Sequence, residues 1–476
     1  MKRFVLLLMG LVAVWNVAAK VELPEQVGSN MVLQQNASVR LWGWADPRAA
    51  VRVSTTWGAE ATAKCDRDGR WEVRLQTPAG SYAPQQVTIE SGERVVLDNV
   101  LIGEVWLAGG QSNMEMSLNG FNNCPTIDAN EVIARAATRR DRIRYVKIPR
   151  TISYTPQERV SGRWNCLTPE TAPGFSAVGY FYAEMLNDVL DVPVGIIDCN
   201  WGGSILEAWC DRATLEAYPD MDLTEEGIER IKSYTQRPME MYNAMIHPLT
   251  PYTLRGFIWY QGESNIDRYP VYAERMARMV ELWRNVWGGG EMPFYFVEIA
   301  PYSYGNNDAD KAAYLREQQC MAQEMIPSSG MVSTNDLVYP YEDVNIHPAN
   351  KRDVGYRLAY WALNRTYGME NIVCESPRFK SVEFADGKAI VTLSSLHGGY
   401  NRLRGIEGFE VCGADGVFHP AEVSVDGKLR LIVSSAEVPA PTAVRYCFRN
   451  FKVGNLANTR GLPVIPFRTD DFPPRN

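Results

Sequence analysis

Four short segments of this 476-residue sequence gather side chains able to activate and stabilise a nucleophilic attack. The first runs from Gly109 through Gly110, Gln111, Ser112 and Asn113 to Met114. A serine between glycine and asparagine at a strand end projects Oγ into a crevice, with its own N–H free to face a developing oxyanion. In a Gly-rich loop, however, serine is more often a plain turn residue. The second segment, Asn200 to Ser204, holds Gly202 and Gly203. Paired glycines there permit close backbone approach to a ligand, or simply a tight turn. The third, Trp259 to Asn265, packs Gln261, Glu263 and Asn265 into one loop with aromatic flanks. The fourth, Asp343 to Lys351, carries His347. A serine hydrolase needs a base, and the sequence has four histidines. His397 and His419 fall in a C-terminal β region and His247 lies upstream of the third strand, which leaves His347.

Ligands of open α/β sheets bind outside the carboxyl ends of the strands, so each segment should follow a strand. The pattern supplies them. Glu104 to Ala108, Val194 to Asp198, Gly256 to Tyr260, Phe294 to Ile299 and Gly330 to Thr334 read as apolar strands. Helical stretches alternate with them: Ala177 to Leu190, Tyr269 to Trp287, Ala309 to Met325 and about Asn350 to Tyr367. Strands alternating with long helices imply parallel βαβ units and an α/β sheet covered on both faces. Either side of this region the pattern changes to short alternating strands separated by Gly, Pro and Asp turns. Val39 to Trp44, Val51 to Thr55 and Trp71 to Leu75 precede it; Ser381 to Phe384, Ala389 to Leu393, Leu429 to Val433 and Val444 to Phe448 follow. The expected organisation is therefore β-sandwich-like over 20–98, α/β over 99–367 and β-rich over 368–476.

Residues 1–19 read as a signal peptide: Lys2 and Arg3 precede an apolar run from Phe4 to Trp15, with small residues before Lys20. No later stretch reaches the roughly 18 apolar residues of a membrane span. The expectation is an exported protein, periplasmic or extracellular. Nine cysteines, an odd number without a CxxC pair, argue against a zinc site and leave at least one thiol unpaired. No metal is expected. A net charge of −8 gives no sign of a nucleic-acid partner, while 13 Trp and 23 Tyr favour a sugar ligand stacked on aromatic rings.

Taken together and in order, the four segments resemble the sialate O-acetylesterase family of SGNH (GDSL-like) hydrolases. The likeness extends to Asn30 to Gln34 and Leu41 to Trp44 at one end, and to Val453 to Leu456 and Pro466 to Asp471 at the other. The resemblance implies a flavodoxin-like α/β/α hydrolase domain that removes O-acetyl groups from sugars without metal or cofactor. Ser112 matches the nucleophile and His347 the general base. The oxyanion donors implied are the N–H groups of Ser112 and Gly203 plus a side-chain amide, Gln261 or Asn265, with Gln261 favoured as nearer the strand end. Gln111, Asn113, Glu263 and Asn265 are expected to contact substrate. The superfamily's DxxH pattern is broken here, because Val344 stands three residues before His347. Asp343, Asp336 behind it, or a backbone carbonyl in a Ser–His dyad remain as ways to orient the imidazole.

The sugar implied is an O-acetylated sialic acid, with acetylxylan or another acetylated polysaccharide as the alternative. Arg140, Arg144 and Arg268 are candidates to pair with a sialic carboxylate. A glycosidase using Glu207 and Glu263, or a non-catalytic sugar-binding protein, is a more distant reading.

Overall fold

The computed structural model describes residues 20–475. The expected signal peptide, 1–19, lies outside the described residues. At the centre is a sheet whose strands run, from one edge, Ser329–Val332, Phe294–Val297, Gly256–Tyr260, Glu93–Gly110, Val194–Asn200, Ile143–Lys147 and Trp164–Cys166. Every neighbouring pair is parallel except the last. Five of these seven strands were expected.

Gly256–Tyr260 and Phe294–Val297 carry no polar or charged residue because both faces are covered. Val105, Leu107, Phe257, Trp259, Phe294 and Phe296 enter one core, and Trp106, Ala108, Ile258, Tyr260, Tyr295 and Val297 the other. That split follows the strand period of two. The helix Tyr272–Trp287 packs on the first face with Lys311–Met325 beside it; Ala177–Leu190 and Arg352–Trp361 close the second. The helix expected from Tyr269 begins at Tyr272, since Pro270 sits in a preceding 3-10 stretch, Glu263–Val271.

Glu93–Gly110 lies between Val194–Asn200 and Gly256–Tyr260, so the order of building reverses at its sides and a crevice opens at its carboxyl end. Gly110 is in register with both Asn200 and Tyr260. The loops that begin at residues 111, 201 and 261 therefore start at one level, side by side.

The same 18-residue strand also builds the N-terminal sheet. Its first half pairs antiparallel with Ser81–Ser91, and Leu101 to Gly103 pair parallel with Val32–Gln34. The domain boundary expected at 98/99 thus falls inside one continuous strand. Beyond residue 377, two four-stranded antiparallel sheets enclose a core that includes Val391, Val411, Leu431 and Tyr446. This unit is fixed to the α/β layer by Arg445, fully buried, which bonds Asp310 at 2.8 Å and Asp470 at 2.7 Å. All nine cysteines are free thiols.

Candidate active site

Ser112 opens a short helix, Ser112–Glu115, directly after the central strand. The turn demands glycine at 110: φ is +135°, and a Cβ there would lie 2.2 Å from the Tyr260 carbonyl oxygen. Ser112 is half-buried, whereas Gln111, Asn113, Met114 and Glu115 are buried. The serine is thus the residue of its turn that reaches solvent.

The Asn200–Ser204 turn meets it. A Cβ on Gly202 would come within 3.1 Å of the Ser112 Cβ and 3.0 Å of Glu115 Oε2. Gly202 donates its N–H to Glu115 at 2.8 Å, and Arg150 pairs with the other Glu115 oxygen at 2.6 Å. Gly203 is half-buried, at φ +79°.

His347 is also half-buried. Its ring stands edge-on to Phe121, centroids 5.1 Å apart, and Nδ1 lies 4.0 Å from Cys124 Sγ. Burial and the nearby Lys351 ammonium push its pKa down to about 4. Lys351, itself buried, is lowered to about 7 by desolvation, against the pull of Glu263 and Glu342.

The other residues singled out from the sequence have partners of their own. The Asp343 carboxylate accepts from Asn307 Nδ2 at 3.1 Å, and Asp336 forms a two-pronged pair with Arg357 at 2.6 and 2.7 Å. Both acids are engaged elsewhere, and the imidazole faces a thiol instead. Gln261, expected as an oxyanion donor, is fully buried. Its Nε2 donates to the Ser204 carbonyl at 3.0 Å and to Asn265 Oδ1 at 2.7 Å, and Oε1 accepts from Tyr272. Asn265 in turn accepts from Leu206 N–H and donates to Glu207 Oε2. These amides brace the chain just after Gly203.

The four expected substrate contacts are interior as well. Gln111 Oε1 accepts from the Gly262 N–H, Asn113 Nδ2 donates to Glu263 at 2.5 Å and to the Ile346 carbonyl at 3.0 Å, and Asn265 is spent as described. Each is under a tenth exposed. Buried polar groups need such partners, so a dense polar loop at a strand end can be a brace rather than a binding surface. Glu207 is equally committed, paired with Arg275 at 2.7 Å and Arg268 at 3.6 Å. That removes it as one of a free glycosidase pair.

Among the arginines, Arg144 is buried and donates to the Asn30 and Asn99 carbonyls, so it faces the N-terminal sheet. Arg140 is exposed on the surface. Arg150, not singled out from sequence, is half-exposed at the site beside Glu115 and Trp201. Glu115 and Cys124 were missed too; only the proximity of Glu115 to Ser112 in sequence could have signalled it.

A parallel α/β sheet with a serine at the carboxyl end of its central strand, met there by a diglycine turn and a histidine loop, has the layout of a hydrolase. Residues 102–364, more than half of the chain, match the family described as carbohydrate esterase, sialic acid-specific acetylesterase. The chain belongs to that family of carboxylic ester hydrolases. It is 29% identical to the human sialate O-acetylesterase over 402 residues, covering 77% of this chain and 75% of that protein. The mouse sialate O-acetylesterase is 27% identical over 507 residues, with 93% of each covered. A crystal structure of a carbohydrate acetylesterase from Xanthomonas citri superposes with a TM-score of 0.84 at 38% identity, over 95% of this chain and all of that one.

Proposed function

We propose that this protein is an exported carbohydrate O-acetylesterase that hydrolyses O-acetyl esters, those of sialic acids first, with Ser112 as nucleophile and His347 as base. The observation that carries this is the convergence at one strand-end level of the half-exposed Ser112, the Gly202–Gly203 turn against it, and the His347 loop tied to Asn113. Ser112 attacks the acetyl carbonyl as His347 takes its proton; the sugar hydroxyl leaves with that proton, and water then releases acetate from the acyl-enzyme. The N–H groups of Ser112 and Gly203 are the assigned oxyanion donors. Because no carboxylate is assigned to the imidazole, the site acts as a Ser–His dyad on this reading, within a flavodoxin-like SGNH domain over 99–367.

The sialate reading is supported by the names of the mammalian relatives and by Arg150, a half-exposed cation beside Gly202. The Xanthomonas structure, described only as a carbohydrate acetylesterase, keeps acetylated xylan as the second reading. Acetate release from O-acetyl sialosides and acetylated xylan, with wild type and Arg150→Ala, decides between them. A KM raised by Arg150→Ala for sialosides alone supports the first; turnover of xylan only supports the second.

A further inference from the structure

We infer that Lys351 is a positioning residue for ester hydrolysis, acting through Asn113 to lock the nucleophile loop onto the base loop. The inference rests on the Ser112–His347 reading above. Asn113 follows Ser112, and Ile346 precedes His347. The Asn113 amide joins them: Nδ2 donates to the Ile346 carbonyl at 3.0 Å and to Glu263 Oε1 at 2.5 Å, while Oδ1 accepts from Lys351 Nζ at 2.6 Å.

An amide can be turned end for end and still fill the same space. An ammonium only donates, so it must meet the amide oxygen; a carbonyl and a carboxylate only accept, so they must meet the NH₂ group. Lys351 therefore fixes the one orientation in which Asn113 can hold the base loop. Burying an ammonium is costly, and an apolar side chain would pack at this place without that cost. Every charged or titratable neighbour fits the role. Glu263 faces Lys351 from the loop after Gly256–Tyr260, Glu342 from the turn before the base, and the Cys124 thiol from the loop after Ser112. The Tyr260 ring lies 5.8 Å from Nζ. His347, which faces Lys351 and Cys124, is pushed toward the neutral form by its burial and, second, by the same ammonium.

The test uses the whole protein and 4-nitrophenyl acetate, with kcat and KM followed from pH 3.5 to 8 for Lys351→Met, Glu263→Gln and the double variant, beside Ser112→Ala. Thermal melts report folding. Lys351→Met should lower kcat roughly 30- to 100-fold with KM within about twofold, as for a reacting group displaced by a fraction of an ångström. The midpoint of the acid limb should move part of the way up, because the Lys351 charge is gone while the burial that depresses it most remains. The double variant, relieved of both buried charges, should melt near wild type yet keep the low kcat. A Lys351→Met or folded double variant with kcat within threefold of wild type and an unmoved acid limb overturns the inference, provided Ser112→Ala is inactive. Activity retained by Ser112→Ala overturns the parent reading and this inference with it.

Discussion

Gly202 and Ser112 are in such close contact that a methyl group on the glycine would reach within 3.1 Å of the serine Cβ. Neither the turn nor the serine can yield freely, because Glu115 anchors Gly202 from below. Gly202→Ala should therefore displace Ser112 while leaving the sheet intact. The expected result is a kcat lowered by roughly 10- to 100-fold with an unchanged thermal midpoint, read by steady-state kinetics and a melt.

Ser112→Ala should abolish deacetylation, with a loss of about 10⁴-fold or more as for triad nucleophiles. The fold should survive, since Ser112 is only partly buried. Acetate release within tenfold of wild type would remove Ser112 from the chemistry.

The two aspartates weighed as partners for His347 separate by what they touch. Asp343→Asn should cost less than about tenfold in rate, against roughly 10⁴ for a true triad acid. Asp336→Asn should instead lower stability by about 2–3 kcal/mol, because it leaves the buried Arg357 without its carboxylate partner. Urea unfolding and kinetics on both variants distinguish the two effects.

The pH profile follows from the shift of His347. A base must be neutral, and with its pKa lowered to about 4 the rate should climb through that value and level off by about pH 5, well below the usual histidine range. Stability runs the same way. The unfolded chain binds the proton from about 6.5 downward and the folded chain only near 4, so acidification across this window destabilises the native state and rising pH restores it. A rate still rising steeply between pH 6 and 7 would contradict this environment for the imidazole.

Arg445→Met should be among the most destabilising single changes in the chain. It strands the buried carboxylates of Asp310 and Asp470 between the catalytic layer and the C-terminal sheets. A loss of about 3–5 kcal/mol is expected, measurable as a lower urea midpoint.

The strand–helix alternation was legible because its apolar runs are long: Ala177–Leu190 and Gly256–Tyr260 occur with the bounds read from the sequence. Ile143–Lys147 was missed since Arg144 and Lys147 break the apolar run. Its burial depends on Asn30 and Asn99, far away in sequence, accepting the Arg144 guanidinium. Trp164–Cys166 has too few residues to show a period. At the site, the residue types were legible but not the direction in which they point. Gln261 and Asn265 look like a donor and a substrate contact until their amides are found bracing the turn after Gly203. Hydrogen-bond commitment between distant loops leaves no mark on spacing.

The strand Glu93–Gly110 serves two sheets without a break, and this bears on how the molecule can come apart. Its first half belongs to the N-terminal sheet and its last residue positions Ser112. The N-terminal sheet is therefore no detachable module on a hinge. Pulling or melting it applies load along the backbone directly to the Ser112 turn. Loss of catalytic activity should accompany, rather than follow, the unfolding of the N-terminal strands, and proteolytic removal of residues 20–98 should leave no active remainder.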